Sequence, residues 1–261
     1  MNTILLKDLS YETRNLSVPS FELSENTLTQ IDEDTLKICL DEKYQEYGSF
    51  FTQCRISKTN LKYAHILSRC GFYFVEVIVS PQTNFKKNLI LQNFIENKSN
   101  FIPKKYKYEN FKLLSLNKSD LVQVEKIKII AQGSFSDDRF HLDFNCPKQI
   151  ADQRFSFWVD DLLNNEKVTF DYLSYLDNEI AFFARNEDNL ILAGFASNYV
   201  NSGLGDFFWL SVLEKMMLEG YKNATTVISI NNTPVLNLYS RIGFKYKFPL
   251  ATFHYWSSLN Y

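Results

Sequence analysis

The sequence predicts an α/β protein with a mixed, mostly antiparallel sheet flanked by helices, and three observations predict it. First, the segments "VTFDYLSYL", "EIAFFARNE" and "NLILAGFASNYV" are rich in β-branched and aromatic residues. The turn formers Asp177-Asn178 and Asn186 to Asn189 separate them, which is the pattern of a meander of hairpins. Second, helix "DFFWLSVLEKMMLEG", strand "NATTVISI", helix "TPVLNLYSRIG" and strand "FKYKFPLATFHYW" then alternate to the C-terminal end. Third, the first hundred residues also alternate between strand and helix patterns.

Taken in order, "SVPSFELS" reads as a strand. "DEDTLKICLDEKYQEY" has helical spacing, with Leu36, Cys39, Leu40 and Tyr44 on one face. "SFFTQCRIS" alternates as a strand, "SKTNLKYAHILSRCG" is a helix with a glycine stop, and "FYFVEVIVS" is the next strand. The stretch from Ser80 to Asn110 turns polar, with Lys and Asn clusters and Pro103, and is the expected linker. Residues 1–100 are thus expected to form an N-terminal α/β subdomain and residues 101–261 a C-terminal domain. The latter opens with strand "FKLLSLN" and helix "KSDLVQVEKIKIIAQGSF", with Ser119 or Asp120 as N-cap. A polar-aromatic loop, "SDDRFHLDFNCP", leads into the long amphipathic helix "KQIADQRFSFWVDDLLNN".

Composition narrows the function classes. Hydrophobic residues make up 45% of the chain, enough for a sizeable core. The formal net charge of -2 gives no general pull towards nucleic acid or anionic membrane. Cys39, Cys54, Cys70 and Cys146 have no C-x-x-C spacing, and read as free thiols in a reducing, cytoplasmic setting. The apolar run "FYFVEVIV" is too short to span a bilayer. The scattered histidines have no ligand spacing, so no metal is expected. There is no Walker loop and no Gly-x-Ser-x-Gly elbow.

Two local features can carry chemistry. Strand "LILAGFASNYV" runs through Gly203-Leu204-Gly205 into a helix. Glycines let the backbone turn tightly, and the free N–H groups of the helix's first turn suit an anion. The bland reading is a glycine turn and no more. Asp206 suits a helix N-terminus but repels a diphosphate placed over it. The second feature is an echo. "AHILSRCGFYF" and "LNLYSRIGFKY" both run from a helix through Ser-Arg-x-Gly-Phe into a strand, with Leu67 in one where Tyr239 stands in the other. Glycine ends each helix in a left-handed cap and Phe72 or Phe244 drops into the core. The upstream copy reads as a degenerate half-domain.

Strand "TTVISI" followed by "NNTPVLNLYSRIGF" resembles the C-terminal signature of the GNAT superfamily of N-acyltransferases: Asn231 or Asn232, Val235, Tyr239, Gly243 and Phe244 fit the pattern. The Gly203–Gly205 turn lies one helix and one strand upstream, where that family binds the acyl-CoA pyrophosphate; Val200 stands where the family usually carries Gln or Arg. "DDRFHLDFNCPKQIADQRFSFWVDDLLNN" and the ending "ATFHYW" are similar to the TDP-fucosamine acetyltransferase branch, whose acceptor is a nucleotide-linked 4-amino-6-deoxy sugar.

The resemblance implies a set of roles. Acetyl-CoA is the co-substrate. Tyr239 protonates the leaving thiolate, since a phenol of pKa about 10 stays protonated at neutral pH. The backbone of Ala193, Phe195 and Ser197 pairs with the pantetheine arm. Gly203, Leu204 and Gly205 cradle the pyrophosphate, and Asn232 bonds the arm or simply caps its helix. Arg139, His141 and Asp143 face the acceptor, Arg139 towards a nucleotide phosphate. His141, His254, Asp138, Asp143 or a water chain takes the amine's proton. Expected partners are a small-molecule amine and, compatibly, a second copy in a homodimer. The competing expectation is a non-catalytic protein of the same fold.

Overall fold

The computed structural model describes residues 6–132 and 139–257. The N-terminal half contains β1 (Leu6–Asp8), α1 (Ser10–Leu16), β2 (Ser20–Leu23), α2 (Glu25–Leu28), α3 (Glu33–Tyr47), β3 (Phe51–Ser57), α4 (Ala64–Arg69), β4 (Tyr73–Asn84) and α5 (Leu89–Glu96). Then come β5 (Phe111–Ser115), α6 (Leu121–Gln132), α7 (Arg139–Leu142) and α8 (Lys148–Asn164). The chain continues through β6 (Val168–Tyr175), β7 (Asn178–Asn186), β8 (Asn189–Phe195), α9 (Gly205–Leu218), β9 (Asn223–Thr225), β10 (Ile228–Ser229), α10 (Thr233–Arg241) and β11 (Lys245–Trp256).

The strands form one sheet in the order β1-β2-β3-β11-β4-β9-β8-β7-β6-β5, with β10 also on β4. All pairings are antiparallel except β2 with β3 and β8 with β9. The expected meander is β6 to β8, which β5 extends by one further antiparallel strand, and Leu176 and Asp177 take positive φ in the β6–β7 turn. Side chains alternate across the sheet, so each face has its own core. Phe183 and Ala181 of β7 pack under α9 and α10, while Phe182 and Ala184 pack under α6 and α8. In the N-terminal half, Cys54 and Phe253 meet α3 and α4, and Phe51 meets α7 and α8.

The echo is a joint used twice, with the same hydrogen bonds. Gly71 and Gly243 both have φ of 86°. Phe72 N–H donates to Leu67 O and Phe244 N–H to Tyr239 O, each at 2.9 Å, closing the six-to-one bond of a Schellman cap. The strands that follow are exchanged. β4 leaves β3 and lies between β11 and β9, and β11 leaves β9 and lies between β3 and β4. Each half therefore completes its sheet with a strand from the other.

Gly243 is the tighter joint. A Cβ there would stand 2.7 Å from Asn88 Oδ1, against 3.2 Å from the Tyr255 ring at Gly71. Asn88 cannot yield, because its amide donates to Thr83 Oγ1 and Ile242 O and its oxygen caps Ile90 and Leu91 N–H. Gly243→Ala should cost about 2–3 kcal/mol and Gly71→Ala about 1 kcal/mol, read from urea midpoints.

Several elements differ from the expectation. The stretch read as a linker is folded: Phe85, Leu91 and Phe94 are buried in the same core as α9 and α10. Lys86 and Lys87 lie on the outside, whereas Asn88 is buried and caps α5. Strand "NATTVISI" breaks in two, because the chain turns at Thr226 from β8 towards β4. The polar-aromatic loop holds the short helix α7, and α1 was not anticipated at all. Asp120 is the N-cap of α6, accepting from Val122 and Gln123 N–H, and Ser119 is not.

Candidate active site

The site is built where two parallel strands part. β8 pairs with β7 along its length but meets β9 only at Asn189↔Thr225. Thr226 Oγ1 donates to Leu190 O at 2.7 Å, and there the contact ends, since Thr226 N–H bonds Pro81 O and β10 continues along β4. From Ile191 to Phe195, β8 has no ladder partner on that side among the described residues. Such an edge presents free N–H and C=O groups to any extended chain that carries amides. Ala193 and Phe195 lie on this edge, and Ser197 follows in an exposed turn.

Beyond β8 the backbone is tightly folded. Asn201 and Gly203 take φ of 59° and 83°, and α9 then starts at Gly205 with Leu204 as an N-cap that offers no side-chain bond. The N–H groups of its first turn thus have no side-chain cap. A Cβ on Gly203 would meet Pro103 Cγ at 3.0 Å, and one on Gly205 would meet Leu238 Cδ1 at 2.7 Å. Gly203 is required by its positive φ, whereas at Gly205 the mobile end of Leu238 would have to move aside, and Leu204 is fully buried. Asp206 does not stand alone. Arg241, from the second Ser-Arg-x-Gly-Phe joint, bonds its carboxylate through Nη2 at 2.8 Å and through Nε. The exposed ion pair offsets the repulsion that Asp206 would exert on a phosphate at this turn.

Tyr239 projects from α10 to the foot of the fork. Only 4% of it is exposed, and its ring packs edge-on against Phe244 at 4.7 Å. Its hydroxyl stands beside the side chains of Trp209 and Thr226, the residue at which the strands part. Burial pushes the phenol up to about 12, with Trp209 and Thr226 partly offsetting it, so the group is a protonated donor at neutral pH. Trp209 stacks on Phe195 at 6.2 Å, with its buried indole beside the Tyr239 hydroxyl. Trp209 and Thr226 were missed in the sequence. Trp209 sits four residues past Gly205, one helical turn inward, but no local pattern separates it from an ordinary core residue. Asn232 accepts Val235 N–H and caps α10.

The other candidates gather on the opposite face of the sheet, under α7 and α8. Arg139 is ion-paired with Glu12 of α1 at 2.6 Å, and Glu12 also receives two bonds from Arg154 of α8. Asp143 accepts from Tyr73 Oη at 2.5 Å, Trp256 Nε1 at 2.9 Å, Asn145 N–H at 2.9 Å and His254 Nδ1 at 2.7 Å. His141 pairs with Asp152 at 2.9 Å. The structure thus brings Arg139, Asp143 and His254 together, but apart from Tyr239. Glu12 was missed because α1 is short and reads as polar. Asp138 lies outside the described residues. Among the described residues, no group of three or more His, Cys, Asp or Glu is placed to hold a metal ion, and no helix is long and apolar enough to cross a membrane.

The fold is the one shared by the GCN5-related N-acetyltransferases. Among solved structures, the chain is similar to such an enzyme from Sphaerobacter thermophilus, with TM-score 0.53 and 10% identity over 82% of this chain and 62% of that one. It is similar to a tandem GNAT protein from the clavulanic acid biosynthesis pathway, solved without acetyl-CoA, with TM-score 0.54 and 8% identity over 86% and 69%. A third is a GCN5-related N-acetyltransferase from Kribbella flavida, with TM-score 0.52 and 9% identity over 90% and 80%. The chain thus spans less than two thirds of the length of the first of these. No family model and no curated protein matches the sequence.

Proposed function

We propose that the protein is an N-acyltransferase that moves an acetyl group from acetyl-CoA to a primary amine of a small molecule. The observation that carries this reading is the fork between β8 and β9, with a protonated, buried Tyr239 hydroxyl at its foot. The residues around the fork fit the co-substrate. The open edge of β8 from Ile191 to Phe195 suits the amides of a pantetheine arm, and the uncapped first turn of α9, reached through Gly203 and Gly205, suits its diphosphate. Bound there, acetyl-CoA supplies a thioester whose C–S bond breaks as the acceptor's C–N bond forms.

Tyr239 holds the proton that the departing thiolate takes. The rings of Phe195, Trp209 and Phe244 keep water from this proton. The acceptor must arrive as the neutral amine. A nucleotide-linked amino sugar is the first acceptor to try, although Arg139 and Asp143 are buried against Glu12, Tyr73, Trp256 and His254 on the other face of the sheet and do not line the fork. In this reading Val200 gives up one cationic or amide contact at the turn, and Arg241 compensates for Asp206.

The test is binding first and turnover second. CoA at about 100 times its Kd should add about 2.7 kcal/mol to the stability of the chain, seen as a rise in Tm. Thiol release from acetyl-CoA should then depend on an amine drawn from a panel of TDP-amino sugars and simple amines. No stabilisation by CoA or acetyl-CoA would sink the proposal. A second reading, a binding protein of the same fold, is favoured by the near-complete enclosure of Tyr239. CoA-dependent stabilisation without turnover on any amine would support it.

A further inference from the structure

An acid that gives up its proton in a dry site leaves an anion behind, and a buried anion is costly unless donors meet it. The rings packed around Tyr239 and Trp209, those of Phe183, Phe195, Phe208 and Phe244, offer none. Two side chains beside the Tyr239 hydroxyl do: Trp209 through Nε1–H and Thr226 through Oγ1–H. Both are buried and firmly held. Phe183 and Phe208 grip the Trp209 ring edge-on at 5.1 and 5.5 Å. Thr226 is tied to both arms of the fork: its N–H donates to Pro81 O of β4 at 3.1 Å, and its Oγ1 donates to Leu190 O of β8 at 2.7 Å.

The donor count fixes what each can do. An indole N–H can only donate. A threonine hydroxyl has one proton and two lone pairs, and the proton turns freely about the Cβ–Oγ bond. While Tyr239 is protonated, the Thr226 proton goes to Leu190 O and its lone pairs are left for the phenol. Once Tyr239 is an anion, the same proton is better placed on the phenolate, because a hydrogen bond to a charged group is about twice as strong as a neutral one. The exchange gives up the bond to Leu190 O, gains the stronger one, and needs only a turn of the hydroxyl. Burial raises the phenol, and the same two side chains oppose that rise, as donors to the anionic form must. Donors fixed in place before charge develops favour the transition state over the ground state.

We propose that Thr226 and Trp209 are positioning residues that hold the tyrosinate formed when Tyr239 gives its proton to the leaving thiolate. The proposal rests on the acyl-transfer reading above. The amine nitrogen bonds to the acyl carbon, the C–S bond breaks, and sulfur takes the Tyr239 proton. The proton shed by the acylated nitrogen then neutralises the tyrosinate, and the Thr226 proton swings back to Leu190 O. The test is a double-mutant cycle in kcat, read as amine-dependent thiol release from acetyl-CoA. Thr226→Val, which keeps the shape and removes the hydroxyl, should lower kcat about 10- to 100-fold, and Trp209→Phe about 10-fold, each with the KM for acetyl-CoA within about twofold. In the Tyr239→Phe background, where no tyrosinate forms, neither change should cost more than about twofold. A merely structural role at the foot of the fork would slow both backgrounds alike. Equal losses in the two backgrounds, an unchanged kcat in Thr226→Val, or a loss confined to KM would each overturn the proposal. Trp209→Phe carries the same comparison where Thr226→Val does not fold. A wild-type chain that neither gains stability with CoA nor releases thiol would remove the acyl-transfer reading and this proposal with it, whereas turnover without the coupling would remove this proposal alone.

Discussion

Replacing Tyr239 with phenylalanine is expected to lower kcat about 100- to 1,000-fold while the KM for acetyl-CoA stays within about twofold. A positioned general acid contributes roughly 10²–10⁴ in rate. The ring's packing on Phe244 survives the substitution, so only the proton is lost. The pH profile adds a second check. Burial has pushed the Tyr239 phenol up to about 12, so it stays protonated well beyond neutrality. Activity should rise with pH as the acceptor amine loses its proton, and no falling limb should set in until the pH approaches that of the phenol. Steady-state kinetics on both proteins from about pH 6 to 10 would read this. An unchanged kcat in the phenylalanine variant would remove Tyr239 from the chemistry.

The largest stability effect should come from Glu12→Ala, at about 3–5 kcal/mol. Glu12 is 5% exposed and bonds Arg139 and Arg154 together, and removing it leaves two buried guanidiniums without their carboxylate. The same layer should make the protein acid-sensitive in two stages. Burial holds His254 down at about 4, against an ordinary value of 6.5. Its contribution is present above pH 6.5 and is lost as pH falls towards 4, where the unfolded chain binds the proton more readily. Glu12 is held at about 2 by its hydrogen bonds and charges from Arg154 and Arg139, despite the opposing cost of burial, against 4.5 ordinarily. Its contribution is present above pH 4.5 and is lost as pH falls to about 2. Urea midpoints measured from pH 7 to 2 should fall through both windows in the wild type, and Glu12→Ala should flatten the lower one.

The sequence foretells some of these features better than others. Strands β6 to β8 and helix α9 are legible because hydrophobic period and turn residues are local properties. Tyr239 stands out in the sequence because it takes the place of Leu67 in an otherwise repeated joint. Helix α5 was hidden because its eight residues, LILQNFIE, lie between Lys- and Asn-rich flanks, and only Leu91 and Phe94 of them are buried. The environment of Arg139 and Asp143 was illegible for another reason: their partners come from α1, α8, β4 and β11, scattered over the whole chain. Likewise the joint sequence at Gly71 and Gly243 predicts how each helix ends, but not beside which strand the chain continues. That choice is made by long-range pairing.

The exchange of β4 and β11 sets an order on biosynthesis. Strand β3 leaves the ribosome with β2 to one side, but the partner for its other edge is not made until residues 245–256 emerge. During that interval β3 exposes an unpaired edge, and β4 waits without either of its eventual neighbours, β9 and β11. Neither half can finish while it is nascent, so the final collapse is a late, non-local and slow event. The demand for chaperone protection should therefore peak while the C-terminal half is still being translated, and it should end abruptly when the last strand is delivered.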